Sequence, residues 1–185
     1  MPVIRKQLVI VLDESAENQS NRIGPSLCFW AAYVYLPSDD RHPTNLKIPE
    51  ESRYEAAVLM KSANLKPIRS GAIYNNSDTQ IKICLDGMLR ALEACKYTIS
   101  KYRINEVIIC GDCDPAIDLA SGAQRRVAPA VISICRQIDS VKNEYGSRSA
   151  PVIFKKVSET QFTLYRDIDS IAKQVRGLMK KISQE

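Results

Sequence analysis

A single histidine, His42, occurs among the 185 residues. This scarcity weakens any zinc reading of the pair Cys110 and Cys113. A zinc site needs two more ligands, there is no second Cys-x-x-Cys, and His42 sits far away in a proline-bearing stretch. No apolar run approaches the roughly 20 residues of a membrane helix, so no membrane partner is expected. No glycine-rich phosphate loop is present, which speaks against a nucleotide-cofactor enzyme. Repeats and low-complexity segments are also missing, and no compositional bias points to disorder. The apolar stretch at the N-terminus is short, β-branched and broken at Asp13-Glu14, so it reads as a first strand rather than a secretory signal. Without an export signal, the six cysteines are expected as reduced thiols in a cytoplasmic protein, not as a disulfide framework.

What is present suits one sizeable core, and residues 1–185 are expected to form a single domain. The net charge of +5 permits nucleic-acid binding without requiring it. Basic residues gather at Gln124-Arg-Arg126, at Lys155-Lys156, and along the last predicted helix at Lys173, Arg176, Lys180 and Lys181. On charge patterning alone, a solvated face is the better explanation of them.

Strands are expected at 7–12, 27–36, 68–74, 106–110 and 152–157, where β-branched and aromatic residues concentrate. A strong helix is expected over 80–100, with Ile81, Cys84, Leu85, Met88, Leu92 and Cys95 on one stripe. Asp114 followed by Pro115 predicts a capped, short helix ending near Gly122. Further helices are predicted over 128–143 and 166–183. The inward stripe of the last one is Ile168, Ile171, Ala172, Val175, Met179 and Ile182. Residues 37–66 form an insertion between the second and third strands, with a short helix expected over 50–63. An antiparallel meander followed by strand–helix alternation gives an α/β fold, a mixed sheet with helices on its faces.

The stretch "VIICGDCDP" (107–115) carries the main functional question. A redox pair places its first thiol at a helix N-terminus, but Cys110 falls inside the predicted strand. All six cysteines are better explained as small buried hydrophobes. Asp112 then stands one step beyond a buried strand, where sheets with parallel strands collect their ligands. The first strand ends similarly, at Leu12-Asp13-Glu14-Ser15. If these two strands lie side by side and parallel, Asp13 and Asp112 converge. A metal-dependent adhesion motif is a poorer match, because it needs a second serine where Glu17 stands.

Four segments in order resemble the ribonuclease H family, and the resemblance covers most of the chain. "IVLDES" with "GPSLCFWAAYVYL" is similar to that family's first hairpin, and "YNNSDTQIKICLDGMLRALEA" to its Asn-Asn loop and first long helix. "EVIICGDCDPAIDLASG" looks like the following strand, aspartate and helix, with Cys113 at a position usually held by serine. "YRDIDSIAKQV" looks like the closing helix and puts Asp169 before Ile171-Ala172. The resemblance implies a ribonuclease H-like five-stranded sheet and two-metal phosphodiester hydrolysis with Mg²⁺ or Mn²⁺, acting on RNA in RNA–DNA hybrids. It assigns Asp13 as the ligand bridging both metals and Asp112 with Asp169 to one of them, Asp167 competing for the last role. It also assigns Asn75, Asn76 and Ser15 to nucleic-acid contact, since asparagine's paired donor and acceptor suits a 2′-hydroxyl.

Two departures weigh against a complete site. The family's first long helix carries a glutamate near its start, where this chain has Gln80 or Cys84. Asp78 or Asp86 serves as the fourth carboxylate if the register shifts, although Asp86 points away from the apolar stripe. The family's late histidine is also missing, with Glu159 or Thr160 in its neighbourhood. The alternative is therefore a catalytically incomplete nucleic-acid-binding or scaffolding subunit. The insertion 37–66 is a candidate docking element for a protein partner.

Overall fold

Strand β1 (Gln7–Ala16) is apolar on both sides because it occupies the middle of the sheet. A computed structural model describes residues 6–16, 23–35, 67–126, 128–157 and 163–182, with the side chains of the last helix described from Ile168 onward. The expected helix over 50–63, the docking insertion 37–66, His42, and Glu159 with Thr160 lie outside the described residues. β2 (Gly24–Tyr35) runs antiparallel to β1, and β3 (Arg69–Asp78) antiparallel to β2. β4 (Glu106–Gly111) and β5 (Val152–Lys156) add in parallel on the other side of β1, giving the order β3-β2-β1-β4-β5.

α1 (Gln80–Tyr102), α2 (Asp114–Ser121), α3 (Pro129–Ser147) and α4 (Thr163–Ile182) complete the described elements. The larger core holds Leu8, Ile10 and Leu12 from one face of β1 together with Cys84, Leu85, Met88 and Leu92 of α1 and Ile134 and Ile138 of α3. The opposite face sends Val9 and Val11 into a smaller cluster with Ile108, Cys110 and Ile168 of α4. Burial on both faces explains why β1 and β4 read as continuous apolar runs. All six cysteines are free and buried. Among the described residues, no helix is long and apolar enough to cross a membrane.

Several boundaries differ from the sequence expectation. β3 continues past Tyr74, because Asn75 pairs with Ser26 and Asp78 with Gly24 across a register shift. Asn75 and Asn76 are therefore strand residues rather than a loop. Asp114 is the first residue of α2, not its cap: Cys113 holds the cap position without a side-chain hydrogen bond. α3 runs four residues further than expected, to Ser147. On α4 the inward stripe is shorter than predicted. Ile168 and Ala172 are buried and Val175 and Met179 half-buried, but Ile171 and Ile182 are exposed.

Candidate metal centre

The register of β1 against β4 positions the site. Val11 pairs with Cys110, so two residues further on, just past the end of β4, Asp13 and Asp112 stand at the same edge. By alternation Asp13 follows the face of Val9 and Val11, toward α4, and Glu14 follows Leu12, toward α1 and α2. Past the end of β4, where β1 has lost that neighbour, the two side chains nevertheless meet. One oxygen each of Asp13, Glu14 and Asp112 lie within 4.8 Å of one another. Asp13 and Glu14 are buried, while Asp112 is exposed.

Glu14 is the residue that sequence reasoning missed. Its Oε1 accepts a 2.6 Å hydrogen bond from Gln80 Nε2 at the start of α1. Thr79 caps that helix, its side chain accepting from Lys82 N. Burial, and then the charge of Asp112, push the Glu14 carboxyl above its ordinary value, against the opposing pull of Gln80 and the Cys84 thiol. The neighbouring thiols are shifted upward as well. Although a hydrogen bond with Cys113 acts to lower it, Cys84 is held well above the usual thiol range by Cys28, burial and Glu14. Cys113 is raised by its bond to Cys84 and by burial, and burial takes Cys110 up to about 12. Cys84 and Cys113 each bring a sulfur within 4.8 Å of Glu14. A hard divalent cation prefers carboxylate oxygen to sulfur, so the three carboxylates form the better-matched donor set.

The other predicted residues are placed as follows. Asp169 is part-buried and paired with Lys173 at 2.7 Å; it does not belong to the group within 4.8 Å. The side chain of Asp167 is outside the described set. Asp78 is buried but turned to its own helix start, 2.7 Å from Lys82 Nζ and accepting from Thr79 N. Asp86 faces the same lysine at 3.4 Å, so neither of these aspartates joins the cluster. Asn75 and Asn76 are exposed on β3. Asn75 Oδ1 accepts from Ser77 N and Asn76 Oδ1 from the Tyr74 hydroxyl. Ser15 is buried, which leaves its hydroxyl little surface for a nucleic acid.

At the level of sequence, no family model and no curated protein matches the chain. Solved structures do. The N-terminal RNase H domain of a Mycobacterium tuberculosis protein, fused to maltose-binding protein, is similar over 94% of this chain and 98% of its own, with a TM-score of 0.62 at 11% identity. LC11-RNase H1 in complex with an RNA/DNA hybrid is similar over 87% of this chain and 92% of its own, with a TM-score of 0.57 and 13% identity. The fold is that of ribonuclease H. The foamy viral protease-reverse transcriptase in complex with an RNA/DNA hybrid shares this ribonuclease H fold over 95% of the present chain and 21% of its own, with a TM-score of 0.54 and 14% identity. The chain thus has a ribonuclease H-like fold, and its acidic group lies at the carboxyl edge of the two parallel strands β1 and β4.

Proposed function

We propose that this chain is a nuclease that hydrolyses phosphodiester bonds with the help of Mg²⁺ or Mn²⁺, its substrate being RNA within RNA–DNA hybrids. The observation that carries the reading is the approach of Asp13 and Asp112, 99 positions apart in sequence by their numbers, to within 4.8 Å in this fold. Asp13 and Asp112 hold the cation. Asp169 joins them on exchanging Lys173 for metal. When bound, divalent ions at such a site neutralise the phosphodiester and acidify the attacking water. The neighbours solved with RNA/DNA hybrids support the choice of substrate. Asn75 and Asn76, exposed on β3, offer paired donors and acceptors to a 2′-hydroxyl. Exposed Arg125 and Lys155 add positive charge for the phosphate backbone. Six reduced, buried thiols accord with a cytoplasmic setting.

A second reading, a non-cleaving nucleic-acid-binding subunit, is favoured by one observation: the Asp169 carboxylate is engaged by Lys173. A labelled hybrid incubated with the purified protein in Mg²⁺ or Mn²⁺ separates the two. Cleavage that disappears in Asp112→Asn, with the domain still folded, supports the nuclease. Cleavage undiminished in that variant refutes the mechanism, and binding without cleavage in both metals establishes the second reading.

A further inference from the structure

Nothing in the assignment of Asp13 and Asp112 calls for an acid at position 14, yet the carboxylate there is only 8% exposed and shares their edge. Its two oxygens are treated differently. Oε1 is anchored by Gln80 Nε2, while Oε2 is buried with no hydrogen-bond partner among the described residues. A buried carboxylate oxygen left in this way is costly, and nearby carboxylates add repulsion. The cost is relieved when a cation occupies the space between them. On the facing helix, the positions nearest this edge are Gln80, which bonds Glu14, and Cys84, whose sulfur lies within 4.8 Å of it. Neither carries a charge, so α1 contributes no carboxylate of its own here.

We infer that Glu14 is a metal ligand, a strand-borne carboxylate standing in for one that α1 lacks, and that Gln80 is the residue positioning it. The inference rests on the reading of Asp13 and Asp112 as cation-holding residues. Holding Oε1 in a hydrogen bond fixes the carboxylate plane and leaves Oε2 available to a cation. This is the work that partners of metal ligands do. The thiols of Cys84 and Cys113 wall the carboxylate on its inner side, and their soft sulfurs suit Mg²⁺ or Mn²⁺ less well than carboxylate oxygen.

The test is Mn²⁺ binding by the full chain, followed by the electron paramagnetic resonance signal of free Mn²⁺, which needs no catalysis. Glu14→Gln keeps the side-chain shape and a partner for Gln80. It is expected to weaken binding by at least about tenfold, the lower end of what even outer partners of a metal ligand contribute. Denaturant unfolding in a chelator confirms that the variant is folded. Adding Cys84→Glu to Glu14→Gln returns a carboxylate from the helix side and is expected to recover affinity. A folded double variant that recovers none contradicts the stand-in role. If Glu14→Gln binds Mn²⁺ like the wild type while Asp112→Asn does not, the cation site stands and Glu14 is not part of it. If the wild type binds no Mn²⁺ at millimolar concentration, the site itself falls, and this inference with it.

Discussion

Replacing Glu14 by glutamine is expected to stabilise the metal-free protein, although it removes a side chain from the centre of the site. At 4.8 Å, a carboxylate pair repels by about 3 kcal/mol at an effective dielectric of ~20. Asp112 is exposed, and solvent screening lowers its share well below that figure. Burial adds its own penalty on the charged form of Glu14. Glutamine keeps the hydrogen bond with Gln80 and removes both costs, for an expected gain of about 1–2 kcal/mol in a chelator, or about 4 °C in midpoint for a domain of this size. The effect depends on pH with a definite sign. The Glu14 carboxyl is raised in the folded state above its ordinary value of 4.5. Below that value both folded and unfolded chains are protonated there, and the charge costs nothing. As pH rises through the window between the unfolded and folded values, wild-type stability falls relative to Glu14→Gln, and above the folded value the deficit is constant. With saturating Mg²⁺ the gap narrows, because at a hundred times its dissociation constant the wild type gains about 2.7 kcal/mol while a variant binding tenfold more weakly gains about 1.4 kcal/mol. Urea titrations of both proteins across pH, with EDTA and with MgCl₂, measure all of this. A variant less stable than wild type in EDTA at neutral pH refutes the electrostatic account of the cluster.

Two further substitutions test the packing that holds the site. Gly87→Ala puts a methyl 2.3 Å from Cys28 Sγ and 2.8 Å from Cys28 Cβ, where α1 crosses β2. The overlap costs about 1–3 kcal/mol and outweighs the roughly 1 kcal/mol of helix propensity gained, so the urea midpoint falls. Cys28→Ala in the same chain removes only the nearer clash and restores part of the loss. Tyr145→Phe deletes the buried hydroxyl of α3 that donates to the Leu92 carbonyl of α1. The expected loss is about 1 kcal/mol with cleavage unchanged, read from the same titration and a hybrid-cleavage assay.

Much of this arrangement can be read in the residues themselves. β-branched runs at 7–12 and 106–110 announce two buried strands, and their parallel pairing brings Asp13 and Asp112 to one edge. Glu14 escapes such reading because strict alternation sends neighbours on a strand to opposite faces. The convergence of Asp13 and Glu14 happens only where β1 has run past the end of β4 and side chains from both faces reach around its uncovered edge. Asp78 and Asp86 are acidic residues in the right part of the sequence, but Lys82, one helical turn from each, draws both along the helix surface. Asn75 and Asn76 look like turn residues, yet pairing with β2 extends the strand through them, a case of tertiary context overriding local preference. The α4 stripe gives the direction of the helix's apolar face but not how much partner surface that face meets, and so Ile171 and Ile182 remain exposed.

The central claim is that acidic side chains from β1 and the end of β4 share a bound divalent cation. A crystal soaked in Mn²⁺ and measured at the manganese absorption edge tests it most directly. The account predicts an anomalous peak about 2.1 Å from carboxylate oxygens of both Asp13 and Asp112. A peak on the sulfurs of Cys84 and Cys113, or none at that edge of the sheet, contradicts it.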